Sequence, residues 1–157
     1  KKERELMPTR TGEAVWRGSF KRGSGTVAVA SGVLKADYSA SSRFENGAGT
    51  NPEELLGAAH AGCFSMALSL GLGEAGFEPD TIHTTARVTI EKVGGGFRIT
   101  KIVLSTEAEV PGIDEPTFLR HAEAAKKGCP VSQALAATPV ELEARLLPSH
   151  TGASPQP

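Results

Sequence analysis

The most constraining stretch of this chain is a strict alternation between residues 82 and 91. Ile82, Thr84, Ala86, Val88 and Ile90 fall on one face, with His83, Thr85, Arg87, Thr89 and Glu91 on the other. Successive strand side chains point in opposite directions, so this is a strand with one covered face. Gly94-Gly95-Gly96 supplies a turn, and the chain returns through Phe97 and Ile99, then Ile102, Leu104, Thr106, Ala108 and Val110. The parity of the apolar positions changes near Thr100, which predicts a β-bulge there. A hairpin with one apolar face is not stable alone in water, so the rest of the chain must cover it.

Helices are available to do so. Thr50 or Asn51 can cap a helix in which Pro52 fits the first position and Glu53 and Glu54 meet the positive end of the dipole. It should run to about Ala75 and stop at Gly76. Asp114 opens a second helix ending at Gly128, and Cys129-Pro130 starts a short third one. Residues 14 to 39 read as a β-meander carrying Trp16, Val27, Val29 and Val33, with a loop from about Ser41 to Thr50. A last strand turns Val140, Leu142, Ala144 and Leu146 inward. Strands grouped around helices in this order indicate an α+β fold rather than a doubly wound sheet. One domain over residues 1–157 is expected, with its core at about 14–147 and flexible tails over the first dozen residues and Pro148–Pro157.

Leu55 to Gly73 approaches the length of a membrane span, but four glycines, two serines and His60 interrupt it and Glu54 and Glu74 flank it. It reads as a buried helix. Seventeen basic residues against eighteen acidic ones leave a net charge of -1, without the clustered positive surface that nucleic acid requires. The charged start, Lys1-Lys2-Glu3-Arg4-Glu5, gives no leader signal, so a cytoplasmic location is expected.

Two cysteines do not make a disulfide scaffold. Cys129 follows a helix-ending Gly128 and precedes Pro130, so it falls at a helix N-cap, where the dipole and free N–H groups favour a thiolate. Lys126 and Lys127 can add positive potential. A cysteine packed at a turn fits the same sequence equally well. Cys63 lies inside the long helix among Ala58, Ala59, Ala61 and Gly62, small residues that suit a helix crossing. A thiol buried there is normally inert, because desolvation raises its pKa, and it needs a nearby cation to react. His60 shares its helix face and a Cys-His dyad is conceivable, although a lone helical histidine is more often packed. No zinc spacing is present, and no metal, haem or flavin is expected.

Two segments, RFENGAGTNPEELLGAAHAGCFSMALSL and KKGCPVSQAL, closely resemble the osmotically inducible protein C (OsmC) family of peroxiredoxin-like enzymes, relatives of the organic hydroperoxide resistance proteins. SGVLKADYSASSRFE and EKVGGGFRITKI fit the same branch, and the resemblance runs from about Ala14 to Leu146. It implies an intertwined OsmC-like homodimer and a thiol-dependent peroxidase that prefers organic hydroperoxides to hydrogen peroxide. It also implies site residues: Cys63 as the peroxidatic cysteine, Cys129 as the resolving one, Arg43 as the activator of the thiolate, and Glu53 as the carboxylate orienting Arg43. The expected cycle passes through a Cys63 sulfenic acid and a Cys63–Cys129 disulfide, recycled by an external dithiol that the resemblance suggests is lipoyl-type.

This assignment reverses the local reading, in which Cys129 is the better nucleophile. An arginine against a buried thiol acts at low dielectric, where it outweighs a partly solvated helix end. Glu53 and Cys63 stand roughly 15 Å apart along one straight helix, so a second subunit is expected to supply Arg43 and Glu53 to each site. Leu56, Phe64 and Met66 can form an apolar mouth for alkyl hydroperoxides, with core packing as the ordinary alternative for each. A thiol-based redox sensor and a hydrophobic-ligand-binding dimer remain as competing functions.

Overall fold

The structure, a computed structural model, describes residues 7–149. It divides into two compact units, one ending at Pro52 and the other beginning at Glu53. The expected tails fall largely on residues 1–6 and 150–157, outside the described residues. Residues 7–11 are exposed and irregular.

The first unit holds an antiparallel sheet of β1 (Gly12–Arg17), β2 (Ser24–Val29) and β3 (Lys35–Tyr38) in that order. This is the expected meander, except that Val33 is exposed in a bend rather than paired in a strand. Gly25 is needed for its size. A Cβ there would lie 2.6 Å from Tyr38 Cε1 and 2.9 Å from Trp16 Cε3, whose rings pack at 5.3 Å between centroids. The stretch expected to be a loop instead contains a short helix, α1 (Ala40–Phe44). Ser39 and Ser42 form a capping box: the Ser42 amide donates to Ser39 Oγ at 3.1 Å, and the Ser39 amide donates to Ser42 Oγ at 2.8 Å. Serine at both ends of the box satisfies orphan helix donors that a loop would leave to water.

The second unit is built on α2 (Pro52–Glu74) and a sheet ordered β4 (Thr81–Val93), β5 (Gly96–Glu109), β6 (Val140–Leu146). The β4–β5 hairpin carries the expected alternation, and its register slips between Thr89/Lys101 and Ile90/Ile99, leaving Thr100 as the extra residue. β6 pairs with β5 in parallel. Parallel neighbours need a crossover, and α3 (Glu115–Gly128) with α4 (Pro130–Ala134) provides it. The Thr117 amide donates to Asp114 Oδ2 at 3.3 Å, capping α3 where the sequence placed its start.

α2 buries Glu53, Gly57, His60, Phe64, Leu68 and Leu72, a spacing of three and four residues that marks one helix face. Phe64, Leu68 and Leu72 meet Leu104, Val110, Phe118 and Ala122 in the core. Gly57 lets the helix come down on β4, since a Cβ would lie 3.0 Å from the Ala86 carbonyl oxygen. The buried helix expected from the sequence is therefore buried on one side only. Ala58, Ala59, Gly62, Met66 and Leu70 are exposed, and no atom lies within 4 Å of the place a Gly62 Cβ would occupy. Among the described residues α2 alone has the length and apolarity of a membrane span, with a mean hydropathy of 1.5 in its most apolar window and 28% of that window buried.

Candidate active site

Cys63 sits on the fourth turn of α2, half-buried, beside the buried stripe rather than in it. The helix is fixed at this level by Ser65, whose hydroxyl donates to Thr84 Oγ1 on β4 at 2.8 Å. Cys129 is fully buried at the junction of α3 and α4. Its amide closes α3 by donating to the Ala125 carbonyl at 2.9 Å, and its carbonyl accepts from the Gln133 amide at 3.0 Å. Pro130 has no N–H with which to extend α3, so the chain breaks at Cys129 and restarts. That break turns the thiol toward α2. The two cysteines, far apart in sequence, are both free thiols and stand near enough for each to act on the ionisation of the other.

Their environments differ. Burial pushes the Cys63 thiol up and the contact with Cys129 adds to this, against a smaller opposing pull from the Val131 amide. Burial also pushes Cys129 up, but there the Cys63 thiol, the amide and hydroxyl of Ser132 and the Val131 amide outweigh it and hold the group below its ordinary value. The amides face the sulfur without closing a regular cap bond, so they act mainly as partial charges. Within this chain the two thiols are thus shifted in opposite directions, Cys63 up and Cys129 down.

The remaining candidates belong to other elements. Arg43 is on α1 in the first unit, its guanidinium carbon 5.2 Å from the centre of the Phe44 ring. It lines a cavity of about 280 Å³ with Trp16, Phe20 and Tyr38. Glu53 is buried in the first turn of α2. The helix is unbroken from Pro52 through Cys63, which leaves Glu53 about three turns from the thiol of its own chain.

His60 does not form a dyad with Cys63. Its ring is fully buried, with Nε2 2.7 Å from Ser132 Oγ on α4. Sequence reasoning missed Ser132. The available signal was its place three residues after a cap-forming cysteine, where a side chain can reach back to the cap.

An open cavity of about 690 Å³ begins at Cys63 and runs between α2 and α3, lined by Met66, Ala67, Leu70, His121, Ala125 and Pro130 among others. Met66 is at this wall as expected of an apolar mouth, while Phe64 belongs to the core and Leu56 is not part of the lining.

The family model described as OsmC-like protein matches residues 45–144. This chain belongs to the OsmC family. It is 61% identical over 127 residues to a peroxiredoxin OsmC of Escherichia coli (strain K12), covering 80% of this chain and 89% of that protein. An organic hydroperoxide resistance protein of Xanthomonas axonopodis pv. citri (strain 306) is 33% identical over 89 residues, covering 56% of this chain and 61% of that one. The crystal structure of the organic hydroperoxide resistance protein OhrB of Bacillus subtilis superposes with a TM-score of 0.63 at 27% identity, covering 87% of this chain and 98% of its own. An OsmC-like protein of unknown function from Vibrio cholerae shares the fold at a TM-score of 0.70 and 18% identity, covering 88% and 99%. The α+β class and the family resemblance drawn from the sequence both hold.

Proposed function

We propose that this OsmC-family chain is a peroxidase that reduces organic hydroperoxides through Cys63 and Cys129. The coarser part, a hydroperoxide-reducing peroxidase, follows from family membership together with 61% identity to a peroxiredoxin. The observation that carries the finer part is the thiol pair itself: two free cysteines that act on one another's ionisation, one half-exposed at the mouth of an apolar cavity and the other wholly buried.

Cys63 thiolate attacks the distal peroxide oxygen. The O–O bond breaks, the alkoxide takes a proton and leaves as alcohol, and Cys63 is left as a sulfenic acid. Cys129 thiolate then attacks the Cys63 sulfur, and hydroxide departs to become water as the disulfide forms. An external dithiol of the lipoyl type returns both thiols by exchange and is itself oxidised. A cytoplasmic location suits this cycle, because both cysteines must be reduced at rest.

Burial disfavours the Cys63 thiolate, so first attack requires a cation, and Arg43 oriented by Glu53 is that cation in this reading. The distance of Glu53 from its own Cys63 favours a second copy of the chain as its source. The exposed apolar face of α2 favours the same homodimer, since small residues at Ala58, Ala59 and Gly62 suit close helix packing.

Turnover separates the possible functions. Consumption of many equivalents of cumene hydroperoxide with a dithiol, abolished in Cys63→Ser, is expected of the enzyme. A single equivalent would indicate a redox sensor, and no oxidation a ligand-binding dimer. The Cys129→Ser protein should accumulate Cys63 as sulfenic acid or its overoxidised forms; unmodified Cys63 after peroxide would overturn the order of attack.

A further inference from the structure

His60 is a fully buried titratable group that the peroxidase cycle leaves unused. Its Nε2 is held 2.7 Å from Ser132 Oγ, while its Nδ1 is buried with no hydrogen-bond partner among the described residues. A packing role alone does not explain an imidazole fixed at one nitrogen and stripped of water at the other, because an aliphatic side chain would fill the space without that desolvation. Ser132 is the third residue of α4, whose N-cap is Cys129, so its buried hydroxyl stands on the turn that carries the Cys129 sulfur and acts on that group. Three buried groups, on two helices, therefore form a line from His60 through Ser132 to Cys129.

We propose that His60 and Ser132 are positioning residues for the resolving step: neutral His60 donates its Nε2–H to Ser132 Oγ, which turns the single hydroxyl proton of Ser132 onto the Cys129 sulfur. The proposal rests on the reading of Cys129 as the resolving cysteine. The proton directions follow from valence. A serine hydroxyl has one proton, and a charged thiolate is a stronger claimant for it than a neutral imidazole. Nε2 must then carry the ring proton, and the bare lone pair falls on Nδ1, the atom found without a partner. Burial holds His60 protonation below its ordinary range, which keeps the ring neutral. The titratable group that acts on Cys129 is Cys63, from α2; Lys126 and Lys127 precede it in the last turn of α3, with Lys126 paired to Glu123 at 2.7 Å.

The step balances without a new reactant. Cys129 thiolate supplies the electron pair that forms the S–S bond to Cys63. The S–O pair leaves with hydroxide, which takes a proton from solvent. His60 and Ser132 keep their protons throughout and stabilise only the attacking charge.

This predicts an unusual pH signature. Losing one hydrogen bond to a thiolate should raise the Cys129 pKa by about one unit, cutting its thiolate fraction about tenfold below that pKa. A more basic thiolate is also more nucleophilic, with a Brønsted slope of about 0.4–0.5, which restores about threefold. Ser132→Ala should therefore form the disulfide about threefold slower near neutral pH and about threefold faster well above both pKa values. The two pH profiles cross.

The test is a single turnover with one equivalent of cumene hydroperoxide, quenched and read by intact mass as sulfenic acid converts to disulfide. Ser132→Ala and His60→Leu should give crossed profiles, with the rate of Cys63 oxidation unchanged. Ser132→Thr, which keeps the hydroxyl, should follow the wild type. Curves lowered in parallel at every pH, or Ser132→Ala indistinguishable from wild type, would overturn the proposal. A wild-type protein that never forms the disulfide would instead remove the peroxidase reading beneath it. Thiolate absorbance gives a second measurement independent of turnover. In a Cys63→Ser background, adding Ser132→Ala should move the Cys129 titration up by about one unit, and an unmoved titration would refute the contact.

Discussion

Replacing Met66 and Leu70 together by lysine should split the proposed homodimer and abolish turnover. Both side chains lie on the uncovered face of α2, with Met66 76% and Leu70 65% exposed. Full burial of such a side chain is worth about 1.5–3 kcal/mol, so covering the exposed fraction of each contributes roughly 1–2 kcal/mol. A two-fold interface counts each residue twice, which brings the pair to roughly 4–8 kcal/mol. The lower end alone corresponds to about a thousandfold in dissociation constant. Lysine adds the cost of desolvating its charge wherever the face remains covered. The fold within each chain should survive, because neither residue belongs to the core cluster. Sedimentation equilibrium measures the dissociation constant, and peroxidase assays on the same samples measure the site. Turnover should fall with the dimer fraction and recover as protein concentration rises. A variant that dimerises as tightly as the wild type would refute the role of this face. One that dissociates yet keeps full turnover would refute the sharing of Arg43 and Glu53 between copies.

Three further outcomes are expected. Arg43→Ala should raise the Cys63 pKa by about 1–3 units, since a cation beside a thiol has an effect of that order, and slow the first attack on peroxide at least about threefold at neutral pH, measured by stopped-flow. Folding stability should decline as pH falls below about 6.5, because burial lowers the His60 pKa and the unfolded chain takes up that proton first; His60→Gln should flatten this part of a urea-midpoint profile against pH. Gly57→Ala should lower the urea midpoint despite a gain of about 1 kcal/mol in helix propensity, because its methyl would press on the rigid Ala86 carbonyl.

The hairpin and the long helix were legible because each rests on local rules. Alternation from Ile82 to Ile90 gives the covered face, the parity change gives the bulge at Thr100, and Pro52 with two glutamates gives the helix start. The parallel pairing of β6 with β5 was not legible, since alternation in Val140–Leu146 identifies a face but not a neighbour. α1 was missed because Ser41 and Ser42 read as loop residues unless the reciprocal bonds of Ser39 with Ser42 are seen. At the site, the helix break at Cys129 and its acidity could be argued from Gly128 and Pro130. That Cys129 meets Cys63 came from the resemblance alone, because a tertiary contact between distant residues leaves no local trace. The line through Ser132 to His60 was hidden for the same reason.

The parallel closure of β6 on β5 has a consequence for the order in which this chain matures. Cys129 lies on the crossover that must swing back before β6 can dock, whereas Cys63 is on a helix whose hairpin partner follows directly in sequence. Local pairings form early, and crossovers that pin distant segments form late, because loop-closure entropy comes first. The helix carrying Cys63 and the β4–β5 hairpin should thus assemble while the second thiol is still remote. In the proposed cycle, an oxidant that reaches Cys63 before the last strand docks therefore finds no partner to resolve it. Disulfide competence then marks the completion of folding, and a half-folded chain is the form most exposed to irreversible overoxidation.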